Sequence, residues 1–372
     1  MIVGVPKEIK THEYRVGLSP ASVREVVAHG HEVVVQAEAG RGTGASDEDY
    51  RAAGARTLVS AEEIFATAQL IVKVKEPQAP ERALLRPGQV LFSYLHLAPD
   101  RAQAQDLIDS GCIAFAYETV TSKEGTLPLL TPMSEVAGRL AIQMGARYLE
   151  TPQGGPGILL SGVAGVLPAK VLILGAGVAG ANAARIAVAF GAEVVVLDRS
   201  VDPLRRIETE LGTRVRTEVS SRSAIEKQLT GADVVIGAAL VPGGLAPKLV
   251  TRLDLARMKE GAVLVDVAID QGGCFETSRP TTHSDPVFVV DGITHYCVAN
   301  MPGAVPRTST LALNNATLPF VLQIADQGWQ AAIEADPHLR NGLNLCRGKV
   351  TQASVARALG LEWVDPAKAI AI

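Results

Sequence analysis

The sequence predicts an α/β protein with two parallel-sheet domains, and three observations point there. Short β-branched apolar runs alternate with stretches of helical period from the first residues onward, the pattern of a mostly parallel sheet covered on both faces. The alternation stops at the loop KEGTLPLLTPMSE and then restarts, so two sheets are expected rather than one. A chain of 372 residues also exceeds one ordinary compact core, while 47% apolar residues suffice for two.

In the first half, residues 2–5, 32–36, 70–75, 89–95 and 112–120 are expected strands, with helices over 20–29, 61–68 and 101–110. The loop then leads into a helix for which Thr131 is expected as N-cap and Pro132 as first residue. Residues 171–175, 193–198, 232–238, 262–270 and 287–292 are near-continuous apolar runs of the second parallel sheet. The segment ANMPGAVPRTST, with Pro302, Gly303 and Pro306, has the composition of a hinge. Beyond it a helix is expected over 310–330, and the polar tail to Ile372 is expected to lack strands and to pack its helices on the first domain. The expected domains are 1–128 plus 307–372, and 129–306.

Composition excludes several classes of partner. Lys plus Arg number 35 against 39 acidic residues, net charge is −4, and no block of like charges occurs, which argues against nucleic acid and anionic membranes. Cys112, Cys274, Cys297 and Cys346 are scattered, with no CxxC pair and no histidine at zinc-ligand spacing; they read as reduced thiols of a cytoplasmic protein, and no metal is expected. The N-terminal stretch MIVGVPKEIKTHEYR turns charged early and lacks the apolar core of a signal peptide. The most apolar region, 157–198, is broken by Pro168, Lys170, Arg185 and several glycines, so no spanning helix is expected.

The strongest local signal is KVLILGAGVAGANAARIAVAFGAEVVVLD. Gly175, Gly177 and Gly180 form GxGxxG after a strand and at the opening of a helix, and the next strand ends in Asp198, 18 residues past Gly180. Gly175 permits the tight turn, Gly177 lets the backbone approach a pyrophosphate, and Gly180 lets helix and sheet pack closely. The helix N-terminus attracts phosphate, and a carboxylate at Asp198 can bond both ribose hydroxyls. The expected architecture is therefore two Rossmann-like domains, the second a dinucleotide-binding domain inserted into the first. Asp198 would repel a 2′-phosphate, favouring NAD, although the neighbouring Arg199 could accept that phosphate.

Four further residues could carry chemistry. His96 lies near the end of the apolar run QVLFSYLHL, Lys75 closes LIVKVKEP, Arg15 lies in the loop after the first strand, and Asp270 ends AVLVDVAID. Each has a bland reading: a packed histidine, a solvated lysine, a surface arginine, an acid capping the turn DQGG. Together, two cations, a histidine and an acid at strand ends beside a dinucleotide site suit redox chemistry on a small carboxylate.

The stretches VGVPKEIKTHEYRVGLSP, VKVKEP, YLHLA, TPMSEVAGR, LGAGVAG, VDVAIDQGGCFETSRPTTHSDP, HYCVANMPGAVPRTST and GKVTQASVARALGL resemble the motif series of bacterial L-alanine dehydrogenases, nearly end to end. The resemblance implies NAD-dependent, reversible oxidative deamination of L-alanine to pyruvate and ammonium by a homohexamer. It implies Arg15 and Lys75 as substrate-binding cations, His96 as acid/base and Asp270 as active-site acid. Ser134, Val178, Ala179, Asp198, Ser220, Leu240, Val267, Ala268, Ile269, Asp270, Val298, Ala299, Asn300 and Met301 match cofactor contacts. The chain departs from the pattern at Pro203, where a basic residue is usual and Arg199 or Arg205 could substitute, and at Ser161 and Ala164, where Gly and Pro are usual. The division of proton transfers between His96 and Asp270 stays open. Rival readings are a transhydrogenase N-terminal subunit, a saccharopine dehydrogenase with a roomier site, and a noncatalytic NAD sensor.

Overall fold

The computed structural model describes residues 1–239 and 245–370, which form two compact units: Met1–Met133 with Val305–Ile372, and Ser134–Ala304. In the first unit, strands β1 (Ile2–Val5), β2 (Glu32–Gln36), β3 (Arg56–Leu58), β4 (Leu70–Val72), β5 (Val90–Ser93) and β6 (Ile113–Ala116) pair in the order β3-β2-β1-β4-β5-β6, all parallel. Central strands buried on both faces must be apolar throughout, and Leu70, Ile71, Val72, Leu91, Phe92, Ile113 and Phe115 are all fully buried. The chain leaves β1 for one edge and returns through β4 toward the other. The sheet therefore reverses its winding between β1 and β4.

The second unit repeats that plan. Strands β7 (Lys170–Leu174), β8 (Glu193–Asp198), β9 (Val215–Val219), β10 (Val234–Gly237), β11 (Val263–Asp266), β12 (Val287–Val290) and β13 (Ile293–Tyr296) form a sheet of order β12-β13-β11-β10-β7-β8-β9. Winding reverses between β7 and β10. Its core joins Leu172, Leu174, Val195, Val235, Leu264 and Phe275 to helix residues such as Ile225 and Leu229.

Several expectations need correction. Residues 287–292 were expected in the parallel sheet, yet β12 pairs antiparallel with β13. The cause is the dipeptide between them: Asp291 and Gly292 both have positive φ, 51° and 79°, which is the two-residue turn that joins antiparallel strands. The tail does contain strands. β14 (Leu343–Cys346) lies antiparallel to β6, and β15 (Lys349–Val350) returns beside it through Arg347 and Gly348, φ 48° and 79°, the same turn device. The run 70–75 is strand only to Val72, and 112–120 becomes a 3-10 turn after Ala116. Thr131 does not act as a cap: it is already helical, at the start of Thr131–Tyr148, and its hydroxyl donates back to the Leu127 carbonyl at 3.0 Å.

Candidate active site and nucleotide site

In an open α/β sheet, ligands gather at the carboxyl ends of strands beside the reversal point, because there neighbouring connections diverge to opposite faces and leave a crevice. In the first unit those ends are β1, β4 and β5, adjacent in the sheet. The segments that follow them carry Arg15, Lys75 and His96 respectively.

Arg15 is 2% exposed and held by Glu13: Nε donates to Oε1 at 2.7 Å and Nη2 to Oε2 at 2.5 Å, while Nη1 reaches Met133 Sδ at 2.9 Å. Burial works against its charge, but the Glu13 bonds and the fields of Glu13, Tyr94 and Glu8 outweigh it, so the guanidinium stays protonated. A remote helix pins the loop. From Pro306–Gln327, Thr310 Oγ1 accepts Val16 N–H at 3.2 Å, Asn314 Oδ1 accepts Ser19 N–H at 2.6 Å, and Asn314 Nδ2 donates to Gly17 O at 2.9 Å.

Lys75 is also buried and faces Glu76. Burial pushes the Glu76 carboxyl up, but the fields of Lys75, Lys10 and His96, with a bond from Lys10, bring it below its ordinary value. Two residues earlier, Lys73 is wholly buried and donates to Glu8 at 3.1 Å and Glu81 at 2.7 Å. Glu8 also accepts Val74 N–H at 2.7 Å, which fixes the backbone next to Lys75. Burial, with the fields of Glu81 and Glu13, pushes the Glu8 carboxyl up to about 7 against the opposing pull of Lys73.

His96 stands half exposed, its ring stacked on Tyr94 with centroids 5.8 Å apart and planes at 4°. Its φ of 49° lies in the left-handed region that side chains avoid. Glu118 compensates. Its carboxylate accepts His96 N–H at 2.6 Å and Leu95 N–H at 3.2 Å, and one oxygen lies 3.8 Å from His96 Nδ1. Tyr94 is tied by its hydroxyl to Leu129 O at 2.5 Å.

In the second unit the candidate nucleotide residues fall along one edge, the carboxyl ends of β7, β8, β9, β11 and β13. Gly175 has φ 111°, and a methyl there would lie 2.7 Å from the Ala238 carbonyl. Gly177 precedes the helix Val178–Ala189, and its Cβ position meets nothing within 4 Å, which leaves room for a phosphate at the helix N-terminus. A methyl on Gly180 would lie 1.8 Å from Gly175 O. Val178 and Ala179 open the same helix, and Gly138 packs against Ala179 with Ser134 one turn before it.

Asp198 ends β8 and accepts Ala176 N–H at 2.7 Å and Ser200 N–H at 2.8 Å, one on each oxygen, which leaves further lone pairs for ribose hydroxyls. Ser220 follows β9 and donates its N–H to Asp198 O at 2.8 Å. Val267, Ala268, Ile269 and Asp270 follow β11, with Asp270 exposed on the turn Ile269–Gln271. Among the described residues, Gln271 Oε1 in this turn is buried without a hydrogen-bond partner. Val298, Ala299, Asn300 and Met301 follow β13, with Asn300 at φ 61°. Leu240 lies outside the described residues. The open Gly177, the Asp198 lone pairs and the Gln271 oxygen together fit a dinucleotide.

Sequence reasoning passed over Glu8, Glu13, Lys73, Glu118 and Asp266, whose carboxylates and ammonium hold the candidate residues in place. The available signal was acidic residues set in otherwise apolar or loop stretches, as at Glu118 in FAYETV and Asp266 in VLVDVA. All four thiols are buried, and burial pushes Cys112 up to about 11, Cys274 and Cys297 up to about 12, and Cys346 above its ordinary value, which favours the protonated form. Among the described residues, no cluster of His, Cys, Asp or Glu is placed to hold a metal ion, and no helix is long and apolar enough to cross a membrane.

A doubly wound sheet with a glycine turn after its first strand and an acid after its second defines the second unit as a Rossmann-type, dinucleotide-binding domain, a class that takes nicotinamide cofactors. Residues 4–137 match the family described as alanine dehydrogenase/PNT, N-terminal domain, and residues 141–353 match its C-terminal domain. The chain is 57% identical to an alanine dehydrogenase of Halomonas elongata over all of both chains. It is 50% identical to that of Bacillus subtilis over all of this chain and 98% of the other. A solved L-alanine dehydrogenase superposes with TM-score 0.94 at 49% identity, covering 97% of this chain and 99% of that one. A transhydrogenase structure from Sinorhizobium meliloti gives 0.81 at 27% identity, covering 95% and 100%. The chain belongs to the alanine dehydrogenase family.

Proposed function

We propose that the protein is an NAD-dependent L-alanine dehydrogenase that converts L-alanine and water to pyruvate and ammonium, reversibly. The observation that carries this reading is that Arg15, Lys75 and His96 lie in the segments that follow three adjacent strands at the reversal of the first sheet, in a chain with end-to-end likeness to alanine dehydrogenases. The two-part fold divides into a substrate domain and an inserted NAD domain. NAD is favoured because the Asp198 carboxylate would meet a 2′-phosphate with like charge.

Held at Gly175, Gly177, Gly180 and Asp198, a nicotinamide cofactor would supply the acceptor for the hydride of the alanine Cα. The Arg15 and Lys75 cations hold the substrate carboxylate, Arg15 with an orientation set by Glu13. His96 takes the proton that must leave the ammonium before Cα can give up hydride. The imine then adds water, Asp270 orients that water, and Lys75 polarises the carbonyl oxygen that forms as ammonia departs. His96 returns its proton to the leaving nitrogen, then takes up the carbinolamine hydroxyl proton as the C–N bond breaks and passes it to solvent. General acid/base catalysis of this kind supplies about 10² to 10⁴ in rate. The active form is a cytoplasmic homohexamer, checked by sedimentation at six times the 39.0 kDa chain mass.

The deciding experiment follows reduced-nicotinamide absorbance when purified protein meets NAD and L-alanine, with NADP, D-alanine and His96→Ala as controls. Reduction with NAD and L-alanine alone, lost in the variant while NADH still binds, is expected. No reduction, and no pyruvate turnover in reverse, would overturn the reading.

A further inference from the structure

We infer that Asp266 is a positioning residue for Asp270, acting through the loop that follows β11; this rests on the role proposed for Asp270. Asp266 is fully buried, and burial raises its carboxyl above the ordinary value. A buried carboxylate is costly unless its oxygens are satisfied, so what satisfies them shows what the charge does. Oδ1 accepts Ala268 N–H at 3.2 Å, and Oδ2 accepts Cys274 N–H at 2.8 Å, Phe275 N–H at 3.3 Å and the Ser278 hydroxyl at 2.5 Å. These donors flank Asp270 on both sides, so the loop is wound around one carboxylate with Asp270 at its crest.

The outside of the loop is held by the opposite charge. Lys248 donates to Gly272 O, to Gly273 O at 2.9 Å and to Phe275 O at 3.0 Å, so carbonyls face an ammonium while amides face a carboxylate. Gly272 and Gly273, φ 89° and 78°, permit the reversal, and a methyl on Gly273 would lie 2.6 Å from Asp266 Oδ2. The loop has no strand or long helix to hold its shape. Backbone bonds from Ala246 N–H to Gln271 O at 2.9 Å and from Leu249 N–H to Cys274 O at 2.7 Å hold its outer flank, the Asp266 and Lys248 contacts fix the amides and carbonyls around the reversal, and the direction of the exposed Asp270 side chain follows from the loop so held.

The test is a double-mutant cycle on alanine oxidation, using Asp266→Asn, Ser278→Ala and Asp270→Asn in the full-length protein. Asp266→Asn keeps the size but turns one acceptor oxygen into a donor. It is expected to lower kcat about tenfold or more when Asp270 is present and less than about twofold in the Asp270→Asn background. Ser278→Ala, which removes a single donor and keeps the charge, is expected to act in the same direction with smaller size. Amide exchange over residues 268–275 should quicken in both variants. Equal fold-losses in both backgrounds, or unchanged exchange, would overturn the positioning role. Wild-type turnover by Asp270→Asn alone would instead overturn the assignment of Asp270.

Discussion

His96 adopts a backbone conformation that costs a side-chain-bearing residue about 1–3 kcal/mol, and it does so where the carboxylate of Glu118 gathers two successive amides. Strain held in place by a partly buried acceptor is lost when the acceptor goes. Glu118→Ala is therefore expected to lower kcat about tenfold or more by letting the 95–96 turn relax, with Glu118→Gln intermediate; steady-state rates equal to wild type would sink the idea. Glu8 makes a second prediction. Its folded carboxyl sits at about 7, above the ordinary 4.5, so the folded state binds a proton more tightly than the unfolded one. Its contribution to stability is full below the unfolded value and declines as pH rises through the window up to about 7. Glu8→Gln should flatten that part of the profile, measured as unfolding midpoint against pH. A parallel profile would remove Glu8 as the titrating group.

At the scale of elements, the central strands were legible because a strand buried on both faces has to be an unbroken apolar run, as in VLILG and EVVVLD. Edge strands escaped for the opposite reason. β9, VRTEV, sets three successive polar residues between its two valines, and β3, RTL, is too short to show a period. Of the two hairpins, the one at Asp291-Gly292 carries a favoured two-residue turn pair that was legible, whereas Arg347-Gly348 is not such a pair and gave no signal. In the candidate site, the glycine turn is legible because all its parts are local in sequence. Glu118 and its His96 partner are 22 residues apart, and no periodicity links them. Gly180 offers the sharpest test at this scale: Gly180→Ala puts a methyl into Gly175 O, and the helix must withdraw from the sheet. It should abolish measurable NADH binding and lower stability by about 1–3 kcal/mol, read by calorimetry. Retained affinity would refute the close-packing argument.

Considered whole, the chain builds the same order of five parallel strands twice, β5-β4-β1-β2-β3 and β11-β10-β7-β8-β9, and the second unit interrupts the first. The segment 134–304 contains every strand of its sheet, whereas 1–133 lacks β14, β15 and the helix that bonds Val16, Gly17 and Ser19. Expressed separately, residues 131–304 are expected to fold and bind NADH, and 1–133 to remain without cooperative unfolding; the reverse result would contradict the division. The helix Pro306–Gln327 gives this arrangement an order in time as well as in space. During synthesis the loop bearing Arg15 emerges ahead of the interrupting unit, yet its anchors Thr310 and Asn314 follow only after that whole unit has been translated. A ribosome stalled before that point therefore holds a nascent protein whose nucleotide fold is complete and whose Arg15 loop still lacks its anchors.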